Sequence, residues 1–401
     1  MKKFYNIILL CIVSAVFFSC SDWVDNIDPL VTQTEDQNLQ NEKQLPFLIN
    51  GVETSFANTT GQLLVCADGL SDAFIFEQAV PNATYPDFDE IDRGEIQLDN
   101  TSCDNILDPL GELRFYSDDL VRRTNEISVS NTEVKNRALF TGYFYGGYAR
   151  YYYGIYFGLT PTRGGGTINA GPFIPSDQML DDAIAKFKAA LPYAADESQT
   201  RIVNSVIARA YLYKADYVNA ALFAAGGMKQ GDSPFLALHN SIQPNYWWEQ
   251  AGALRPQFTV NFRFLDFIQE DPNEANRIKL APVEGVDGVT YYYQVISPED
   301  VSPQVCMSWQ ENNLMLAELA LRGNSAGAPL TLVNEVRASH NIDPLAQVDM
   351  PGLIVERDKE LLTQGARLPD ERRFGIWHLP SDRWQYLPLT LSERNANPYI
   401  D

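Results

Sequence analysis

Apolar positions recur at three- and four-residue intervals through most of the chain, which predicts a largely helical protein. Apolar groups are frequent from Leu45 to Glu77, with Val52, Phe56, Leu63 and Val65 assigned to early helices. Residues 106–127 place Leu107, Leu110, Leu113, Leu120 and Val121 at helical intervals despite Pro109. Residues 134–159 carry Tyr143, Phe144, Tyr145, Tyr148, Tyr151, Tyr152, Tyr153 and Tyr156, too many rings for one narrow stripe. A helix that is apolar all round is a buried one. Ser176 is placed to cap a helix whose Met179, Leu180, Ala183, Ile184, Phe187 and Leu191 share a face before Pro192. Residues 203–225 read as two helices joined at Ala215-Asp216, with small residues at helical spacing as in half of a tetratricopeptide repeat. A second pair spans 309–322 and 330–341. Long connections rich in aromatic residues are predicted at 78–103, 160–175 and 228–305.

A helix is predicted to start at Asp349 and Pro351, with an apolar side formed by Leu353, Leu361 and Leu362, and to stop at Gly365. Its Glu356, Lys359, Glu360 and Gln364 are followed by Arg367, Asp370, Glu371, Arg372 and Arg373, then by Phe374 and Trp377. So many opposite charges beside large apolar groups read as a structural clamp of paired ions.

The N-terminus changes the picture. Met1-Lys2-Lys3 precedes an apolar run that is short for a membrane span and ends at Ser19-Cys20, so residues 1–19 read as a secretory signal. Cys20 is the predicted lipidation site, and residues 20–44 are its polar tether to a body at 45–401. No later stretch is apolar for long enough to span a bilayer, so the predicted attachment is the lipid anchor alone. Thirty Lys and Arg against 52 Asp and Glu give a net charge of −22, which disfavours a nucleic-acid partner. Hydrophobic residues at 45% are ample for a core. Beyond the anchor, Cys66, Cys103 and Cys306 are odd in number and widely spaced, indicating neither a disulfide framework nor zinc.

Signals for catalysis are poor. Gly323 to Gly327 fits G-x-S-x-G, but a helix precedes it where a nucleophile elbow needs a strand. His239, His340 and His378 are not spaced as metal ligands on one helix, and Gly164-Gly165-Gly166 lacks the Lys of a phosphate loop. The acidic residues Asp87–Asp92 miss the calcium-loop pattern and read as solvated charge. No carboxylate pair stands out for glycoside hydrolysis. No enzyme activity, cofactor or metal is therefore predicted. Binding has better support, because sugars present C–H faces that stack on rings. Aromatic residues in connections are harder to assign to the core than those on helices. Tyr85, Phe88, Tyr246, Trp247, Trp248 and Tyr292 are the candidate ligand residues, with Trp247 and Trp248 foremost and Asn245, Glu249 and Gln250 as polar company.

Several local patterns also resemble one family. Glu356-Arg357, Glu360-Leu361, Gly365-x-Arg367 and Asp370-x-Arg372-Arg373-x-Gly375 resemble the C-terminal signature of the SusD/RagB proteins, the surface nutrient-binding lipoproteins of Bacteroidetes. Ala208-Arg209-Ala210-Tyr211-Leu212-Tyr213 with Asp216-Tyr217, and Leu314 to Glu318 with Leu332-Val333-Asn334-x-Val336-Arg337, are similar to its repeat helices. Together the likenesses cover most of residues 106–401, with a compressed middle at 228–305. The resemblance implies a mainly α, single SusD-like domain over residues 45–401, built on tetratricopeptide-like helix pairs with long aromatic-rich loops. It further implies a non-enzymatic outer-membrane lipoprotein on the cell surface. Such a protein captures a glycan and delivers it to a SusC-like TonB-dependent transporter. A helical-repeat lipoprotein that binds peptide or another protein is the alternative, and a surface glycoside hydrolase a third.

Overall fold

The structure is a computed structural model that describes residues 39–325 and 327–400; the signal segment, Cys20 and most of the tether lie outside the described residues. Two compact units divide at Gln44. Of the first, residues 39–44 are described, and a 3₁₀ turn spans Glu42–Gln44. The second, Leu45–Asp401, holds the remaining elements.

Its helices are α1 Leu45–Leu70, α2 Pro86–Asp92, α3 Thr101–Glu126, α4 Thr132–Tyr156, α5 Ser176–Ala190, α6 Glu197–Tyr213 and α7 Tyr217–Ala225. They continue with α8 Tyr246–Gln250, α9 Arg263–Glu270, α10 Trp309–Leu321, α11 Pro329–Ser339, α12 Met350–Glu360, α13 Arg367–Phe374 and α14 Leu391–Ala396. The fold is mainly α, as the periodicity predicts. Caps explain several starts. Asn131 Oδ1 accepts the N–H groups of Glu133 and Val134 at 3.0 and 3.2 Å, and Asp196 and Asp216 cap α6 and α7 in the same way. Ala215 takes a left-handed turn (φ +57°) between that helix pair. Among the described residues no helix is long and apolar enough to cross a membrane.

The early helices are one, α1, whose residues from Thr59 onward are almost all buried. It packs against α4, which is buried all round from Ala138 to Tyr156 apart from the half-buried Tyr143. Phe56 meets Tyr145 at 4.8 Å, and the Thr60 and Tyr152 hydroxyls share a 2.8 Å hydrogen bond.

The predicted connections hold more structure than the pattern shows. Residues 78–103 contain α2, and Asp87 Oδ2 accepts the N–H groups of Thr101 and Ser102 at 3.0 and 3.2 Å at the start of α3. That carboxylate is therefore committed to a helix N-terminus, where the backbone donors and dipole favour it, and is not merely solvated. Residues 160–175 belong to a small sheet of β2 Phe157–Thr160, β3 Arg163–Gly166 and β4 Ile174–Pro175, joined by β10 Leu387–Pro388 lying parallel to β2. Residues 228–305 contribute strands to three ladders. They pair β1 Phe74–Phe76 with β6 Phe258–Val260, β5 Phe235–Ala237 with β9 Gln304–Met307, and β7 Leu280–Glu284 with β8 Thr290–Gln294.

The charged C-terminal stretch forms the predicted clamp. Asp349 caps α12 through the Gly352 N–H at 2.9 Å. The helix ends at Glu360, earlier than the predicted stop, and Thr363 and Gly365 then turn through left-handed conformations. A Cβ at Gly365 would lie 2.5 Å from Leu64, so only glycine fits beside α1 there. Arg357 Nε meets Asp370 Oδ2 at 2.7 Å, and Arg373 bridges Asp370 and Glu318, each at 2.6 Å. A second cluster joins Glu274 to Arg277 (2.7 Å) and Lys359 (2.9 Å), and Glu356 to Arg277 and Arg337 (both 2.7 Å). A third centres on Asp72, held by Arg367 at 2.6 Å and Arg263 at 2.8 Å. Burial opposes ionisation of Glu274, yet Arg277 and Lys359 overcome it and hold the carboxyl down at about 2. For Asp370 the same contest is won by Arg357 and Arg373, which keep its carboxyl below the usual range.

Candidate functional site

The candidate ligand residues come from three segments that the fold brings to one region. α8 passes close to α1 at Gly61, where a Cβ would lie 3.2 Å from the His239 ring and 3.4 Å from Tyr246 Cβ. Asn245 starts α8 by accepting the Trp247 and Trp248 N–H groups at 2.8 and 3.3 Å, and its amide donates to the Ser302 carbonyl at 2.8 Å. Gln257 Oε1 accepts the Thr84 N–H at 3.3 Å, and its amide donates to Gln250 Oε1 at 2.8 Å, tying the Tyr85 loop to α8. Gln294 donates to the Trp247 carbonyl at 3.1 Å and so ties β8 to the same helix.

Within that frame the candidates divide. Trp247 is fully buried against Phe74, with ring centroids 4.8 Å apart. Phe88 is also fully buried, 5.4 Å from Tyr85 and 4.9 Å from Phe258. Neither offers a face to a ligand, which corrects the sequence-based assignment. The reason is geometric: neighbouring side chains on a helix diverge by about 100°, so in a Trp-Trp pair one ring is driven into the core. Trp248 and Tyr246 remain half-buried, and Tyr85 is 36% exposed. Tyr292 is half-buried too and, like Tyr246, packs partly on the core, but it stands opposite Pro282 in the β7–β8 ladder rather than on the Tyr85 loop or α8.

Tyr85, Tyr246 and Trp248 thus form the accessible aromatic set; Tyr85, Glu249 and Arg255 stand close to the Tyr246 hydroxyl, whereas Trp248, two residues on, leaves α8 on a different side. Burial, reinforced by Cys66, Glu249 and Tyr85 and opposed by Arg255, raises the Tyr246 hydroxyl well above its usual range, so it stays protonated and able to donate. The arrangement offers rings, hydroxyls, a carboxylate and a guanidinium, the groups that stack on and hydrogen-bond a polyhydroxylated ligand. Arg255 and the 42%-exposed Phe262, which lies 5.9 Å from Tyr291, were not picked out from sequence. Arg255 lies outside any aromatic run, and Phe262 shares a Phe-rich stretch with Phe258, Phe264 and Phe267, whose alternation does not show which ring faces out.

The chemistry-bearing residues elsewhere are in structural places. Cys66, Cys103 and Cys306 are free and buried, and burial pushes the Cys306 thiol up to about 12. Gly323 lies in the turn between α10 and α11 (φ +78°), so the G-x-S-x-G segment joins two helices. Among the described residues no group of three or more His, Cys, Asp or Glu side chains is placed to hold a metal ion.

No protein-family model and no curated protein matches the chain. Solved structures do. A SusD superfamily protein from Bacteroides vulgatus superposes with a TM-score of 0.71 at 15% identity, covering 90% of this chain and 98% of that one. The chain has the SusD fold. A laminarin-binding SusD-like protein matches at TM-score 0.70 and 13% identity over 89% of this chain and 98% of its own. Surface glycan-binding protein A from Bacteroides uniformis matches at 0.64 and 14%, over 90% and 99%. The SusD fold thus spans the chain almost end to end, and the aromatic set of Tyr85, Tyr246 and Trp248 lies on it.

Proposed function

We propose that the protein is a SusD/RagB-type surface lipoprotein that binds a glycan and passes it to a SusC-like TonB-dependent transporter, without enzymatic turnover. The observation that carries the reading is the accessible aromatic set of Tyr85, Tyr246 and Trp248 on a SusD fold. Two proteins of the same fold are described by what they bind, one laminarin and one glycan. In this reading Cys20 carries the lipid anchor at the outer membrane, and residues 21–44 are the tether.

The test is native gel electrophoresis of residues 21–401 in gels cast with a panel of polysaccharides, with the same mixtures assayed for new reducing ends. Retardation by a glycan, lost in Trp248→Ala or Tyr85→Ala and without new reducing ends, is the expected result. Release of reducing ends would overturn the non-enzymatic reading. Retardation by no glycan, with binding to peptides instead, would move the function to peptide capture.

A further inference from the structure

A cavity lies apart from Tyr85, Tyr246 and Trp248, along the first four turns of α4. Its volume is about 660 Å³, within the range of small-molecule sites. Helical spacing explains how one element builds a whole wall. Thr132, Glu133, Asn136, Arg137, Phe140, Thr141, Phe144 and Tyr145 all line the cavity, at successive steps of one, three, one, three, one, three and one. The wall is therefore polar at its outer end and aromatic further in, over about 20 Å of helix. Tyr193, from the turn between α5 and α6, and Phe235, from β5, add rings from the other sides.

Five rings line the cavity, and of these Phe140, Tyr145, Tyr193 and Phe235 present surface to it, while Phe144, at 1% exposure, is sealed behind them. Such faces carry negative quadrupoles, which attract a cation that has shed its water. The charges on the lining point the same way, because two carboxylates, Glu53 and Glu133, stand against the single guanidinium of Arg137. Arg137 meets Glu53 only at 3.4 Å, with the two side chains 55% and 39% exposed, so that pair is loose and open to exchange. The field within the cavity agrees. After burial, the strongest influence on the Tyr145 hydroxyl is Glu53, which raises it further, while the opposing effect of Arg137 is weaker.

We infer that this cavity is a binding site for a small organic cation, an alkylated or quaternary ammonium group, held by Phe140, Tyr145, Tyr193 and Phe235 and drawn in by Glu53 and Glu133. The inference is independent of the glycan reading, since none of the rings involved is Tyr85, Tyr246 or Trp248.

The test uses the full-length chain, titrated with choline chloride and, separately, with 3,3-dimethylbutan-1-ol, followed through the ligand methyl signals in NMR. The two probes share a shape and differ in charge. Choline is expected to bind about tenfold tighter than the neutral isostere. Glu53→Gln should weaken choline by roughly threefold to tenfold, and Arg137→Gln should tighten it by a similar factor, because it removes a competing cation. Both side chains are exposed, so neither variant threatens the fold, and shifts of opposite sign cannot come from unfolding. Neither variant should alter retention by glycan. Equal binding of the two probes, binding of neither, or shifts of the same sign in both variants would overturn the inference.

Discussion

The C-terminal clamp and the middle aromatic face are both dense with large, costly side chains, yet they are built on opposite rules. In the clamp, Arg357, Arg373, Arg277 and Arg337 each reach carboxylates from other elements, and these guanidinium side chains are no more than 12% exposed. In the aromatic face, Tyr85, Tyr246 and Trp248 keep part of their surface open, while their neighbours Phe88 and Trp247 are sealed beneath. The difference teaches how to separate support from function. A group whose charge is paired and buried within its own chain holds the fold, and one left partly open is available to a ligand.

The strongest way to break the comparison is to attack the clamp. Asp370→Ala leaves Arg357 buried without its carboxylate and Arg373 with Glu318 alone, a change that costs about 3–5 kcal/mol where a buried pair is broken from one side. Urea unfolding should show that loss, while folded molecules keep their retention in glycan gels. A variant as stable as the wild type would mean that the clamp does not hold the fold together. Loss of glycan retention at unchanged stability would place the clamp in binding after all.

Trp247 and Trp248 sharpen the contrast within two adjacent residues. Trp247→Ala empties a fully buried site and should lower stability by about 3 kcal/mol or more in the same unfolding experiment. Trp248→Ala should cost less than about 1 kcal/mol of stability but weaken glycan retention by roughly tenfold. Reversed outcomes would show that the aromatic face has been placed on the wrong ring.

How far the chain could be read from its residues follows the same division. Long helices were legible because a 3.6-residue period and a capping side chain act within a few residues, as Asn131 does for α4 and Asp349 for α12. The clamp was legible because opposite charges crowd into one stretch, although its partners Asp72 and Glu274 are far away in sequence. The sheets were not, since β3 is Arg163-Gly164-Gly165-Gly166, four residues with no alternation to detect. Nor could sequence separate Trp247 from Trp248. That choice is made by the Asn245 cap and by the approach of α8 to α1 at Gly61, both outside the pair itself. The α4 aromatics were read as core, which holds for most; the cavity along them needs Tyr193 and Phe235, brought in from distant segments.

Beside the clamp lies a carboxyl that breaks its rule, and pH exposes it. Asp68 is buried, accepts the Gly365 N–H at 3.1 Å, and among the described residues meets no cation at hydrogen-bonding distance. Burial pushes it up to about 8, with Asp358 and Glu371 adding to the rise and the Gly365 N–H opposing it. The folded chain therefore keeps a proton that the unfolded chain releases near pH 4, so this contribution to stability is full below about pH 4 and is lost as pH climbs towards 8. The slope is about 1 kcal/mol per pH unit across that window. Burial likewise raises Asp92 and Glu371 to about 7, and they slope the same way. Glu274 slopes oppositely, since its low value contributes stability above about pH 4.5 that disappears as pH falls towards 2. Asp68→Asn should flatten the decline between pH 5 and 8 while leaving the acid limb set by the clamp in place. Unfolding midpoints measured across that range decide it: wild-type and variant curves that run parallel would mean Asp68 is already ionised in the folded chain, supported by the clamp's cations like the carboxylates around it.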